Sequence, residues 1–401
     1  MQFATGVAQD GESADLLDHA RVEGDSGFEV LVASSADELD AVEPDWLALE
    51  QLSPANAVFQ SFSHIRIWAR HFICQTRSGS KLHVAIVREH GRPVLILPLT
   101  ISGLPHLRIA RIAGDPVAQY SEVPLDPVYA SCAAFEAALA SVKQAGADAI
   151  MFRHVRDDSQ LLRVASTYLR PPAARTAAPF ADLSSFADFP AFLKSLSKTM
   201  RHGLRNRRNH LEKAGQFEFQ ILRGGREARE AIAEAIDLKR KWLVQRGNMS
   251  SAFVDPATRG CLLDLAENME SGAVVMRLMV GGEAAAIRFG FEYRGTHFAY
   301  MSAYDSRFAG LSPGKLLMEY CVSGFKGRAL QRIDMLPPAG RHKKDWCDEE
   351  MSVADYALPL TSAGRLYAEV YQEKVRPALK RAFERLPTPL RSLVATLLVS
   401  L

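Results

Sequence analysis

The sequence predicts an α/β (α+β) protein of two similar halves, with mixed central sheets flanked by helices and a helical C-terminal tail. Three observations carry this expectation. The 401 residues, 48% hydrophobic and 23% charged, suffice for two domains of about 100–200 residues each. β-rich runs joined by short polar turns recur in the two halves, at 82–99 and again at 273–293, and look like counterparts. Around them lie segments with apolar positions three and four apart, the pattern of helices packed on a sheet.

Taken in order, residues 1–26 carry six acids against one arginine, Arg21, and read as a solvated acidic leader. Order begins at Phe28 with a strand, then a helix from Ser35 to about Gln51 with acids in its first turn. A second helix, Ser61 to Cys74, spaces Phe62, Ile65, Trp68, Ala69 and Phe72 as a core face. The hairpin at 82–99, a helix near 131–146 and a strand near 149–152 complete a first domain over 28–170. Arg170-Pro171-Pro172-Ala173-Ala174-Arg175 is the linker. The second domain, 176–358, brings helices at about 188–213 and 225–246 around a strand at 217–222. An antiparallel meander over 273–304, a helix opening at Pro313 and a strand at 330–336 follow. Residues 362–401 read as a basic amphipathic tail, with seven Lys/Arg against three acids between Arg365 and Arg391 and an uncharged end from Ser392.

Charge and cysteine usage narrow the class. With 48 Lys+Arg against 46 Asp+Glu, the net charge of +2 excludes a globally basic nucleic-acid binder, so DNA is not an expected partner. No apolar run reaches the ~20 residues that span a bilayer. Five scattered cysteines with no CxxC pair fit reduced thiols in a cytoplasmic setting and no cysteine-based metal site. Neither a Gly-x-Ser-x-Gly elbow nor a G-x-x-x-x-G-K-[ST] loop is present.

The run Phe298 to Leu317 carries the chemistry. It reads as a strand, a loop of small polar residues, then a helix with Ser312 at its N-cap, Pro313 at its first position and Gly314 behind them. Gly314 lets a ligand approach the backbone, and the helix N-terminus suits an anion such as a pyrophosphate; the same triplet also simply starts a helix. Asp334 lies inside the apolar run Ile333-Asp334-Met335-Leu336, where a carboxylate is either functional or held in an ion pair. Tyr304, at a strand end, can protonate a leaving group or be a half-buried strand residue, and Asp305 suits a turn cap. His342 and Lys343 share a polar loop. Lys194 to Lys213 holds seven Lys/Arg against Glu212 alone. Lys198, Arg201, Arg205 and Arg208 lie on one face, a docking surface for an anionic lipid or phosphorylated acceptor or a solvated helix side.

The order Ala-Tyr-Asp, Ser-Pro-Gly-x-Leu-Leu, Ile333-Asp334-Met335-Leu336 and Lys343-x-x-Trp346 resembles the GNAT acyltransferase superfamily. So do Leu196-Ser197-Lys198-x-x-Arg201-x-x-Leu204-Arg205 and Phe59-Gln60-Ser61 with Trp68. The resemblance covers about 28–356 and is nearest to the cellulose-biosynthesis (CelD/BcsL-like) branch, relatives of the FemAB aminoacyltransferases, among which are bacterial ceramide-synthase-type N-acyltransferases. It implies two tandem GNAT-like folds with acyl-CoA as co-substrate and no tightly bound cofactor. It implies the CoA pyrophosphate on Ser312, Pro313, Gly314, Lys315 and Leu316, with an oxyanion-stabilising N–H near Met301–Ala303. Asp334, Tyr304 and Lys343 are the candidate catalytic residues, and His342 stands with the basic helix as an acceptor contact. His342 sits where the branch usually has Tyr, and Arg307-Phe308-Ala309-Gly310 matches the usual phosphate turn only in part. The implied activity is acyl transfer to an amine of a lipid or glycan acceptor at the inner membrane face, leaning to a long-chain amino base, with an amino sugar as the alternative. Two rivals stay open: an aminoacyl-tRNA-dependent transferase, and a non-catalytic nucleotide-binding scaffold.

Overall fold

A computed structural model describes residues 22–23, 27–74, 79–170, 172, 174–245, 255–376, 378 and 381–382. Most of the acidic leader and all of the tail beyond 382 lie outside the described residues. The first half runs β1 (Val22–Glu23), β2 (Phe28–Ala33), α1 (Ala36–Ala41), α2 (Glu43–Leu52), α3 (Phe62–Ala69), β3 (Lys81–Glu89), β4 (Arg92–Leu104), β5 (Leu107–Ile112), α4 (Cys132–Gln144), β6 (Ala149–Arg156) and α5 (Gln160–Ala165). The second runs β7 (Arg175–Asp182), α6 (Phe189–Ser195), α7 (Lys198–Lys213), β8 (Phe217–Leu222), α8 (Gly225–Gln245), α9 (Pro256–Glu267), β9 (Ala273–Val280), β10 (Glu283–Tyr293), β11 (Thr296–Tyr304), α10 (Pro313–Ser323), β12 (Arg332–Asp334), α11 (Arg341–Lys344), β13 (Glu349–Pro359) and α12 (Ser362–Leu366).

The thirteen strands of the described residues join one sheet, in the order β1-β2-β3-β4-β5-β6-β13-β7-β12-β11-β10-β9-β8. Each half contributes an antiparallel meander that ends in a strand–helix–strand crossover: β5–α4–β6 in the first and β11–α10–β12 in the second. Those two strand pairs are parallel. The halves are then joined by exchange. β7 follows the first half but pairs with β12, β13 follows the second but pairs with β6, and β7 and β13 pair with each other. The expected linker therefore ends in a strand at Arg175, and 349–359 completes the sheet of the other half.

Three large cores and a small cluster of Ile109, Ala149 and Met151 account for the burial among the described residues. One covers the outer face of the first half under α4 and α5. Another lies under α6, α7 and α10 of the second half. The third runs across both halves beneath α2, α3, α8 and α9. In it Phe59 meets Phe291 and Phe298 edge-on at 5.8 Å, geometry that adds about 0.5–1.5 kcal/mol per pair beyond area. Because helices cover both faces, β4 reads as the unbroken apolar run Val94–Leu97 rather than an alternation.

Local chemistry explains where the expected elements change. The helix expected from Ser35 breaks at Val42, since Pro44 opens α2 and cannot continue α1. The helix expected over 188–213 breaks at Leu196, and Ser197 caps α7 by accepting from the Met200 N–H. The strand expected at 330–336 stops at Asp334, as Leu336 turns left-handed at φ 60°.

Asp334 decides that stop. It is 1% exposed, its carboxylate pairs with the Arg156 guanidinium at 2.7 Å, and the Tyr120 hydroxyl donates to both oxygens at 2.9 and 3.0 Å. The Leu336 N–H donates to it at 2.7 Å. Removing Asp334 takes from the buried Arg156 its one fully buried carboxylate partner and leaves it only the exposed Asp158. Asp334→Asn is expected to cost about 3–5 kcal/mol in urea unfolding, and Asp334→Leu with Arg156→Met to recover much of that. A loss below about 1 kcal/mol in the single variant would contradict this account.

Candidate active site

β11 and β12 pair only over Thr296–Phe298 and Arg332–Asp334. Beyond that point they part, and 299–304 has no strand neighbour on that edge. A cleft of about 720 Å³ opens there, lined by that free edge, the start of α10, α8, the 335–346 loop and Gln119 from the first half. Edge N–H and C=O groups face a space wide enough for an extended, amide-bearing chain to pair with them.

At the cleft mouth α10 begins without a side-chain cap. Ser312 holds the N-cap position, but its backbone is left-handed at φ 51° and its hydroxyl bonds to no helix N–H. The capping role expected of Ser312 is thus corrected, and the positive end of the helix stays open to an anion. Gly314 keeps the approach clear: a Cβ there would meet only the Ser302 Oγ, at 4.0 Å. Ser312, Pro313, Gly314 and Lys315 line the cleft, whereas the Leu316 side chain is buried in the core under α10, leaving only its backbone to serve a ligand. Lys315 is steadied by Asp345 at 2.9 Å.

Among the expected catalytic residues, Tyr304 and Lys343 line the cleft and Asp334 does not. Asp334 stands behind the lining in a buried ion pair, with both oxygens engaged by Arg156, Tyr120 and the Leu336 N–H. The Lys343 ammonium donates to the Leu336 and Pro338 carbonyls at 2.8 and 2.9 Å and so pins the turn that follows Asp334. Burial draws its pKa down. His342 lines the cleft too. Burial first, then the charges of Lys343, Arg288 and Lys239, lower its pKa and leave it neutral near pH 7. Asp305 caps the following turn through the Arg307 N–H, as expected.

The basic helix contributes less than its spacing suggests. Arg201 donates to the Lys194 and Leu196 carbonyls, closing the end of α6, and Arg208 pairs with Glu319 on α10 at 3.1 Å. Lys198 and Arg205 remain exposed. None of the four lines the cleft.

Sequence inspection missed Gln119, Lys239, Trp242 and Arg288. Lys239 donates to the Ser302 carbonyl at 3.3 Å and lies 4.8 Å from the Trp242 ring centre. Arg288 had a legible signal, a lone cation in the apolar run Ala284–Phe291. Lys239 had none, since a lysine on a long amphipathic helix looks solvated. Among the described residues no group of His, Cys, Asp and Glu could hold a metal.

The first half has the same crossover, and the space recorded beside it is small. Ser131 caps α4 by accepting from the Ala134 N–H, and the space bounded by Arg111, Tyr120, Met151 and Arg153 holds about 10 Å³.

The site combines a free strand edge with an uncapped helix N-terminus on a mixed sheet. Residues 198–344 match the family model of the acetyltransferase (GNAT) domain. Among solved structures the chain is similar to FemX, at 11% identity and a TM-score of 0.53 over 77% of this chain and 98% of that one. It is also similar to the C-terminal domain of a putative lysylphosphatidylglycerol synthetase from Agrobacterium fabrum, at 11% and 0.52 over 82% and 94%. L-PGS from Bacillus licheniformis matches at 12% and 0.51, over 89% and 96%. No curated protein sequence matches the chain. Residues 198–344 thus match a GNAT acetyltransferase domain, and the chain shares the fold of these tandem GNAT-like structures.

If the helix end receives the CoA phosphates, Gly314→Glu should weaken CoA binding by at least about tenfold, or ~1.4 kcal/mol, in calorimetry, while Gly314→Ala changes it less than about threefold. Equal loss in both variants would point to misfolding or a different site.

Proposed function

We propose that the protein transfers an acyl group from an acyl-CoA thioester to an amine on a membrane-associated acceptor, a long-chain amino base of (sphingo)lipid synthesis, as in the ceramide-forming members of the branch its sequence resembles. The observation that carries the reading is the 299–304 edge, free beside the open end of α10. A pantetheine arm presents amides at the spacing such an edge pairs with, and its pyrophosphate would meet Gly314 and Lys315. The amine attacks the thioester carbonyl, a C–N bond forms, the C–S bond breaks, and the thiolate takes a proton. The neutral His342 accepts the amine proton, Tyr304 protonates the thiolate, and an edge N–H near Met301–Ala303 holds the oxyanion.

Support for a lipid acceptor comes from apolar residues lining the cleft, Leu238, Trp242, Met318, Leu336 and Trp346. On the C-terminal helical stretch, Leu366, Val370, Tyr371 and Val375 are exposed at spacings that place them on one face. That face and the free cations Lys198 and Arg205 suit peripheral contact with an anionic bilayer at the cytoplasmic face of the inner membrane, each cation adding about 1 kcal/mol. No helix among the described residues is long and apolar enough to cross a membrane. An amino sugar of exopolysaccharide or cellulose synthesis is the second choice. Parallel turnover with palmitoyl-CoA and acetyl-CoA separates the two: preference for the long chain supports the lipid amine, and preference for acetyl-CoA supports the sugar.

A neutral base with a pKa below the usual 6.5 of histidine gives a sign to the pH profile. The active form is present above the lowered pKa and is lost as pH falls through it, so kcat should stay flat near neutrality and decline only below about 6.5. His342→Gln should lower kcat by about 10²–10⁴-fold and remove that acid limb. An unchanged profile in the variant would assign the base elsewhere. Sedimentation with anionic vesicles should fall with added salt and in Lys198→Glu/Arg205→Glu; salt-insensitive binding would discard the electrostatic contact.

A further inference from the structure

Arg288 is 8% exposed, sits on the central strand β10 opposite Ser302, and lines the cleft. Only one other arginine among the described residues is buried to that degree, Arg156, and it has two carboxylate partners, Asp158 and Asp334. Arg288 has none: no ion pair or hydrogen bond to any described residue engages it, and its Nε is sealed from solvent without an acceptor. An unpaired buried guanidinium costs several kcal/mol, and burial draws its pKa below the ordinary arginine range.

The surroundings deepen the imbalance. The cleft lining holds Lys239, Arg288, Lys315, Lys343 and His342, and no acidic residue. Lys315 is answered by Asp345, Lys343 by two carbonyls and Lys239 by the Ser302 carbonyl. The titratable group nearest in character to a counter-ion is the Cys321 thiol on α10. Burial pushes it up, but His297 first and then Arg288 and Arg328 pull it to about 7. Cys321 forms no hydrogen bond with Arg288, and its thiol is buried in the core rather than in the cleft.

We propose that Arg288, backed by Lys239 and Lys343, forms an anion subsite in the cleft for a phosphoryl or carboxylate group, separate from the open end of α10. The subsite rests on the acyltransferase reading only for the role of its ligand. If the anion belongs to the acceptor, the amine substrate is a phosphorylated or carboxylate-bearing one; if it belongs to CoA, Arg288 holds the co-substrate at a second point. A planar guanidinium binds either oxyanion bidentately, which a lysine cannot do.

The test is calorimetry of the full chain with CoA and with inorganic phosphate, the latter titrated into both free and CoA-saturated protein, for wild type, Arg288→Gln and Arg288→Lys. The subsite on the acceptor side predicts that phosphate binds CoA-saturated wild type, that Arg288→Gln weakens this at least about tenfold, and that CoA affinity stays within about twofold. Arg288→Lys should fall between, which guards against a fold defect in the glutamine variant. A tenfold loss of CoA binding in Arg288→Gln, with no phosphate binding once CoA is present, keeps the subsite and gives its anion to CoA. Unchanged affinity for both ligands in Arg288→Gln overturns it. Wild type that binds phosphate but no CoA retains the subsite and refutes the acyl-CoA reading instead.

Discussion

The site depends on one buried charge pair. Asp334 ends β12 inside the protein, and a carboxylate there is tolerable only because Arg156 and Tyr120 reach it from the other half of the chain. Its remaining capacity accepts the Leu336 N–H, which bends the backbone away from β11. Lys343 then fixes the Leu336 and Pro338 carbonyls beyond the bend. The parting of two parallel strands is thereby held by charge-assisted bonds that the interior cannot replace with water. Without that bend β11 would keep a strand neighbour along its length, and no edge would face a ligand.

The two halves use one topology for different ends. In each, a helix crosses between two parallel strands, but Ser131 satisfies the N-terminus of α4 whereas Ser312 turns left-handed and leaves α10 open. The first half still shapes the cleft. Gln119 lines it, and the Val117 carbonyl accepts from the Tyr300 hydroxyl at 3.0 Å, tying the 113–121 loop to the working strand. Strand exchange through β7 and β13 and the shared aromatic core around Phe59 make that loop a fixed wall.

Electrostatics gives the cleft its character. An ammonium entering a lining with several cations and no carboxylate is driven towards its neutral, nucleophilic form, while the oxyanion and thiolate of acyl transfer are favoured. The same charges keep His342 neutral near pH 7. The cleft thus carries an excess of positive charge that would suit the charge development of the proposed reaction.

Much of this was legible in the residues. The meander over 273–304, the helix at Pro313 and the core face of 61–74 follow from short-range periodicity and turn chemistry, which a sequence carries openly. Tyr304, Gly314 and Lys343 could be placed because they stand beside those signals. Asp334 was visibly anomalous in an apolar strand, but whether it was catalytic or paired turned on Arg156, 178 residues away. β7, β13 and the exchange they make were hidden because strands of mixed polarity gain definition only from their neighbours. Lys239 and Gln119 look like surface residues until the sheet closes around them. The sequence by itself determined the local elements and the helix end that can receive an anion. The tertiary structure decided which half keeps a cleft, which charges are answered and which are not, because burial and pairing are properties of residues brought together from distant parts of the chain.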